Sequence, residues 1–168
     1  MSAGVGSGVS GAGSGAGCDM PTVVAIHVAP GRRLPTTSVE SVAAEAGKGL
    51  VGDRYHGSRH RQVTIQSQEL LDAAAADLGR PVEPGLTRRN ITISHGDVPT
   101  APGTRLRVGD ALLEVVRVAA PCRLLDDELG PGAAAALRRR AGTVFRVLES
   151  GTITVGDGVR PEPETTDS

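Results

Sequence analysis

The sequence predicts a mainly β domain, a barrel or a sandwich with two or three short helices, and three features of the chain carry that prediction. Short β-branched runs alternate with Gly, Pro and Asp through most of its length. The tripeptide Val-Gly-Asp recurs at Val51, Val108 and Val155, and Gly-Asp is turn chemistry, because Gly reaches positive φ and Asp bonds its own backbone. A full helical signature appears in one segment, between Ser67 and Gly79.

The expected strands are residues 22–28, 38–44, 62–66, 90–94, 105–108, 111–118 and 143–148. The second Val-Gly-Asp lies between two of them and predicts a tight hairpin. In the helix, Ser67 is the expected N-cap, Glu69 suits the positive N-terminal end, and Gly79 with Pro81 stops it. Leu70, Leu71, Ala74 and Leu78 then share one face, which should pack on the sheet. A second, shorter helix is expected over 133–140 and a helical turn over 123–129.

At 168 residues the chain fits one domain. Residues 1–20, almost all Gly, Ala, Ser and Val, read as a disordered leader. Residues 21–160 form the domain, and 161–168, rich in Pro, Glu and polar residues, read as a frayed tail. Tyr55 and Phe145 are the only aromatic residues, so packing relies on aliphatic side chains and there is no platform for stacking nucleobases. A net charge of −1 gives no electrostatic footprint for nucleic acid or an anionic membrane. Lys48 is the only lysine; the abundance of arginine reflects either coding bias or a use for bidentate guanidinium forks. Cys18 and Cys122 are too few for a disulfide framework, and no apolar run of about 18 residues or signal-peptide pattern occurs, so a cytoplasmic location is expected.

Several segments read in order carry a family likeness: Gly49-Leu50-Val51-Gly52-Asp53-Arg54-Tyr55-His56-Gly57, then Arg61-Gln62-Val63-Thr64-Ile65-Gln66-Ser67, then Arg88-Arg89-Asn90-Ile91-Thr92-Ile93. Gly103 to Asp110, Ala120-Pro121-Cys122-Arg123-Leu124, Arg140-Ala141-Gly142-Thr143-Val144-Phe145 and Val155-Gly156-Asp157-Gly158 follow. Over roughly residues 23–159 this order and spacing resemble the MOSC family, named for the C-terminal domain of molybdenum cofactor sulfurases. The resemblance implies a small stand-alone member with a MOSC-type β-barrel, pyruvate-kinase-barrel-like, and a cleft for the molybdenum cofactor (molybdopterin) holding one essential cysteine. Larger members add an N-terminal β-domain or a pyridoxal-phosphate desulfurase domain, and nothing here is long enough for either. Pyridoxal phosphate is not expected: Lys48, the one candidate for a Schiff base, sits in a Gly-rich turn. Arg89 stands where many stand-alone relatives place glutamate, a departure that bears on substrate class more than on fold.

On this resemblance Cys122 is the expected catalytic residue and metal ligand. It follows Pro121 at the mouth of the expected helical turn and precedes Arg123; free backbone N–H groups and a guanidinium both favour the thiolate. Read from position alone, it is equally a small buried hydrophobe. Arg88, Arg89 and Arg140 suit the cofactor's phosphate, although Arg140 could instead complement a helix end. Asn90 offers donor and acceptor to a pterin edge. Arg88, Arg89 and Asn90 open a strand, so alternation should let only some of them face one cleft.

Asp53, Arg54 and His56 lie in a Gly-bounded loop of the kind that presents binding groups, with turn closure the alternative for Asp53. His56 and His60 are four apart, but Gly57 stands where a zinc hydrolase carries glutamate. Gln62, Thr64 and Gln66 share one strand face, which lines either the cleft or water, and Thr64 is counted with the cofactor-binding set. His27 and His95 read as structural or exposed.

The function this implies is reduction of an N-hydroxylated small-molecule substrate at a Cys122-ligated molybdenum centre. A separate electron-donor protein would be needed, since no flavin, haem or iron–sulfur motif is present. Two other readings stand beside it: a sulfur-carrier or sulfurase-type module passing persulfide sulfur through Cys122, and a non-catalytic β-barrel interaction domain. No nucleic-acid or membrane partner is expected, and the oligomeric state is open.

Overall fold

A computed structural model describes residues 20–31, 35–59, 61–82, 87–119, 132–136 and 142–162. The strands in chain order are β1 (Val23–Val28), β2 (Thr37–Val39), β3 (Ser41–Glu45), β4 (Gly49–Leu50), β5 (Val63–Ser67), β6 (Ile91–Ile93), β7 (Arg105–Val108), β8 (Ala111–Val118), β9 (Thr143–Glu149), β10 (Gly151–Thr154) and β11 (Val159–Glu162). Among the described residues two helices accompany them, α1 (Gln68–Leu78) and α2 (Ala133–Ala136).

Eight strands form one sheet in the order β11-β7-β8-β9-β5-β6-β1-β2, and β10-β3-β4 form a second. The large sheet is mixed because β5 and β6 run parallel, with α1 lying between them in sequence. A strand flanked in this way is buried on both faces, and β5 is buried at every position, Thr64, Gln66 and Ser67 included. The polar face expected along this strand therefore looks into protein and not into water.

The mainly β architecture is as expected, but among the described residues the sheet does not close into the expected barrel. The outer edge of β1 is divided: Ile26, His27 and Val28 pair with β2, while the chain just before β1 meets the approach to β11 through one bridge, Thr22 to Gly158. Val159 N donates to Pro21 O at 2.9 Å and Val23 N to Asp157 O at 2.9 Å, so the ends touch without forming a continuous ladder. One core still spans both sheets: Val42, Leu50 and Ile153 of the small sheet pack with Ile26, Ile65 and Phe145 of the large one.

The β7–β8 hairpin matches expectation, with Val108 paired to Ala111 across Gly109-Asp110. Gly109 is at φ 57, and a Cβ there would overlap the Asp157 carboxylate and stand 2.9 Å from Thr152 O. The second and third Val-Gly-Asp turns thus pack on each other. The expected strand 38–44 is broken at Glu40, which sends β2 and β3 into different sheets. Strands β4, β10 and β11 go beyond the expected set. β11 includes Pro161 and Glu162, two positions read as tail; it is an edge strand, where proline is tolerated, and Arg107 holds it by contacts of 3.3 Å to Glu162 and 3.2 Å to Glu149.

Helix α1 ends as expected on left-handed Gly79 (φ 76), whose N–H bonds Ala75 O. Its start differs. Ser67 occupies the N-cap, fully buried as the last position of β5, and its hydroxyl makes no capping bond. Leu71 and Ala74 form the buried face with Val82, and Leu78 and Ala136 of α2 pack against them. Leu70 is only partly buried. The expected turn over 123–129 and the expected helical residues 137–140 lie outside the described residues. Among the described residues no helix is long and apolar enough to cross a membrane.

Candidate functional site

The parallel register of β5 and β6 puts Asn90, one residue ahead of β6, beside Thr64. Asn90 N donates to Thr64 Oγ1 at 2.9 Å, while Asn90 Oδ1 accepts from Thr64 N at 3.0 Å and Thr64 Oγ1 at 3.1 Å. Asn90 Nδ2 donates to His27 O at 3.1 Å and to Asp53 Oδ1 at 3.2 Å. Two donors and two acceptor positions are all that a carboxamide has, and these four bonds fill them. Asn90 is 3% exposed and cannot reach a pterin edge without giving up a bond to its own fold.

Asp53 closes the other side of this lock. Its Oδ1 also accepts from Ala29 N at 3.0 Å, and its Oδ2 from Tyr55 N at 3.2 Å. Both sequence readings of Asp53 meet here: the carboxylate closes its turn, and it ties that turn to β1 and Asn90. Thr64, Asn90 and Asp53 therefore position the site and do not present free groups to a ligand. Burial holds the His27 imidazole below its ordinary pKa range, and its Nδ1 has no hydrogen-bond partner among the described residues.

Three arginines adjoin this lock in the chain or in space: Arg54 beside Asp53, and Arg88 and Arg89 immediately before Asn90. The Arg54 side chain is 7% exposed; Nη1 lies 3.6 Å from Asp53 Oδ1, and Nη2 donates to Arg88 O at 3.5 Å. Its guanidinium also stands 4.5 Å from the Tyr55 ring, against which Arg61 stands at 4.6 Å. Arg88 and Arg89 are both buried. Both precede β6, which begins only at Ile91, and Arg88 is left-handed, at φ 64. A non-glycine residue held there costs energy that the surroundings must supply, and such positions concentrate at functional sites. Behind them, Thr87 Oγ1 donates to Gln66 Oε1 at 2.7 Å, and Gln66 Nε2 to Thr92 Oγ1 at 2.9 Å.

The structure thus brings Asp53, Arg54, Thr64, Arg88, Arg89 and Asn90 into one buried neighbourhood. It leaves His56 outside: exposed, with Nε2 2.7 Å from Glu45 Oε1 on β3. His56, expected among the cofactor-binding residues, pairs with Glu45 at the surface. Cys122, Arg140, Arg123 and His60 lie outside the described residues. Sequence reasoning missed Tyr55 between two guanidinium groups, and Gln66 with Thr87 and Thr92 as a second buried network. The alternating polar residues of 62–66 were the available signal for the latter. Among the described residues no group of three His, Cys, Asp or Glu side chains is placed to hold a metal ion.

In structure the chain is similar to the YuaD protein from Bacillus subtilis, with a TM-score of 0.76 and 17% identity over 88% of this chain and 98% of that one. It is also similar to YiiM from Geobacillus stearothermophilus, at TM-score 0.70 and 21% identity over 85% and 75% of the two chains. YiiM from Escherichia coli gives a TM-score of 0.66 and 16% identity over 89% and 73%. At these identities the likeness is one of fold. A comparison with curated proteins finds no match. The MOSC domain family model matches residues 52–160, a span that begins in the Asp53 loop and takes in every strand from β5 to β10, and the chain therefore belongs to the MOSC domain family.

Proposed function

We propose that this protein binds the molybdenum cofactor and serves as a reductase of N-hydroxylated compounds, with Cys122 as the protein's thiolate ligand to the metal. The observation that carries the reading is the buried arginine cluster. Arg54 Nη1 is buried and has no hydrogen-bond partner among the described residues, Asp53 lying at 3.6 Å. A guanidinium in that state has donor capacity for an oxyanion, and the tetrahedral phosphate of the cofactor offers acceptor oxygens to it. These residues fit the cofactor's anionic end. When bound, the cofactor would supply two-electron reduction, re-reduced by a separate donor protein.

The protein's own residues would then divide the work. Arg54, Arg88 and Arg89 hold the phosphate, while Asn90, Thr64 and Asp53 fix the backbone that aims them. Ala119 N donates to Gly142 O at 3.0 Å, which joins the two ends of the segment that carries Cys122 and Arg140. Cys122 is three residues past Ala119 in the sequence, and Arg140 is two residues before Gly142. Gly142 itself abuts Ile65, the neighbour of Thr64 on β5.

Metal and persulfide analysis of protein made in a host that synthesises the cofactor tests this. The reading predicts about one molybdenum per chain in the wild type and its loss in Cys122→Ser, because one soft ligand is removed. Little metal in the wild type, together with a persulfide on Cys122 by mass spectrometry, would replace it with the sulfur-carrier reading.

A further inference from the structure

Arg54 is held by the face of a ring and not by the carboxylate beside it. The oxygens of Asp53 are already taken by N–H groups: Oδ1 accepts from Ala29 N at 3.0 Å and from Asn90 Nδ2 at 3.2 Å, and Oδ2 from Tyr55 N at 3.2 Å. Arg54 Nη1 stays 3.6 Å from Oδ1, beyond hydrogen-bond reach, and Nη2 makes only a long bond of 3.5 Å to Arg88 O. The guanidinium lies instead over the Tyr55 ring, 4.5 Å from its centroid. A carboxylate grips a guanidinium by its N–H edge and uses up the donors. An aromatic ring grips the flat face and leaves the edge to other acceptors.

The ring itself is pinned from both sides of its residue. Tyr55 N is bound by Asp53, and Tyr55 O accepts from Ser58 N at 2.9 Å. Ser58 in turn fixes the strand entrance that carries a second cation: its Oγ accepts from Arg61 N at 3.2 Å and its O from Gln62 Nε2 at 2.7 Å, while Gln62 Oε1 accepts from Val147 N of β9 at 2.9 Å. The Arg61 guanidinium stands 4.6 Å from the centroid of the same ring. Two like charges sharing one ring repel each other, and an oxyanion near them relieves that repulsion.

We propose that Tyr55 is a positioning residue, whose ring holds Arg54 and Arg61 by their faces and so keeps the arginine cluster ready for an oxyanion. This rests on the reading that the cluster holds the cofactor's phosphate, and it is tested with an anion alone, on the full chain from a host that makes no molybdenum cofactor. Tyr55 is the only tyrosine and the chain has no tryptophan, so ultraviolet emission reports this ring and nothing else. Pyrophosphate should change that emission in the wild type and leave it unchanged in Arg54→Met. By calorimetry, Tyr55→Phe should bind pyrophosphate within about twofold of wild type, since both contacts are to the ring, and Tyr55→Leu about fivefold more weakly, as expected for one partly exposed cation–π contact. Wild-type affinity in Tyr55→Leu, or a Tyr55→Phe variant as weak as Tyr55→Leu, would overturn the proposal. Unfolding in urea without any anion separates it from the reading beneath it. Combining Arg54→Met with Tyr55→Leu should raise the unfolding constant about fivefold less than the product of their separate effects. If the wild type binds no pyrophosphate, the anion reading fails and this cycle alone decides: a coupling of that size upholds the ring's hold on Arg54, and effects that simply multiply overturn it.

Discussion

Asn90→Ala should lower the stability of the folded protein by about 4 kcal/mol, read as a fall of about 2 M in the urea midpoint. The size follows from what is left behind. Removing the carboxamide strands Thr64 N–H in a fully buried strand and takes one of the donors from a fully buried carboxylate, Asp53. A buried group left unsatisfied costs about 1–3 kcal/mol, more when it is charged, and the vacated volume adds a cavity term. If the side chain instead served mainly to touch a ligand, the urea midpoint would hardly move and only cofactor content would fall.

Gly142→Ala should be as damaging or worse, about 4 kcal/mol or failure to fold. Gly142 is at φ 99, and a Cβ on it would run into the Ile65 carbonyl oxygen and stand 2.9 Å from the carbonyl carbon. Backbone cannot yield as a flexible side chain can, and Ile65 belongs to the central strand β5, paired on one side to β9 and on the other to β6. Gly52→Ala provides the control, for Gly52 is at φ 92 and a Cβ added to it would meet nothing within 4 Å. That variant should lose only the left-handed penalty, about 1–2 kcal/mol. Equal midpoints for the two variants in thermal or urea unfolding would mean that the close approach of Gly142 to β5 carries no energetic weight.

Where the sequence could be read, local chemistry decided the structure. The β7–β8 hairpin agrees residue for residue because β-branched runs and a Gly-Asp turn all act within a dozen positions. β11 escaped because Pro161 argues against a strand unless the strand is known to lie at an edge, and edge position is a property of the whole sheet. The break at Glu40 has the same character: 38–44 alternates well enough as one strand, and only the division of the β1 edge splits it. Ser67 sits at the N-cap position as its sequence signal implies, yet its hydroxyl makes no capping bond.

The site divides along similar lines. Family resemblance named the residues that gather around Asn90, yet the bonds they make to one another were not legible. Asn90 meets Asp53 across 37 residues and Thr64 across 26, separations that no periodicity reports. Asn90, expected to meet a pterin edge, has its carboxamide occupied by bonds to Thr64, His27 and Asp53. His56 and Asp53 shared one loop and one expectation, and only the fold shows the first turned towards Glu45 and the second inward. Arg88 gave no warning of its left-handed backbone, because nothing in an arginine announces it.

The same residue provides the most direct test of the central claim, that buried guanidinium groups hold an anionic cofactor. Arg88→Gly deletes the guanidinium and installs the residue most at ease at φ 64, so the backbone loses its strain as the charge is lost. Pterin content, measured by fluorescence after oxidative release from purified protein, should fall about tenfold or more relative to wild type, in keeping with the loss of charge-assisted hydrogen bonds, while the variant still unfolds cooperatively. Wild-type pterin content in Arg88→Gly, or no pterin in the wild-type protein from a host that makes it, would contradict the claim.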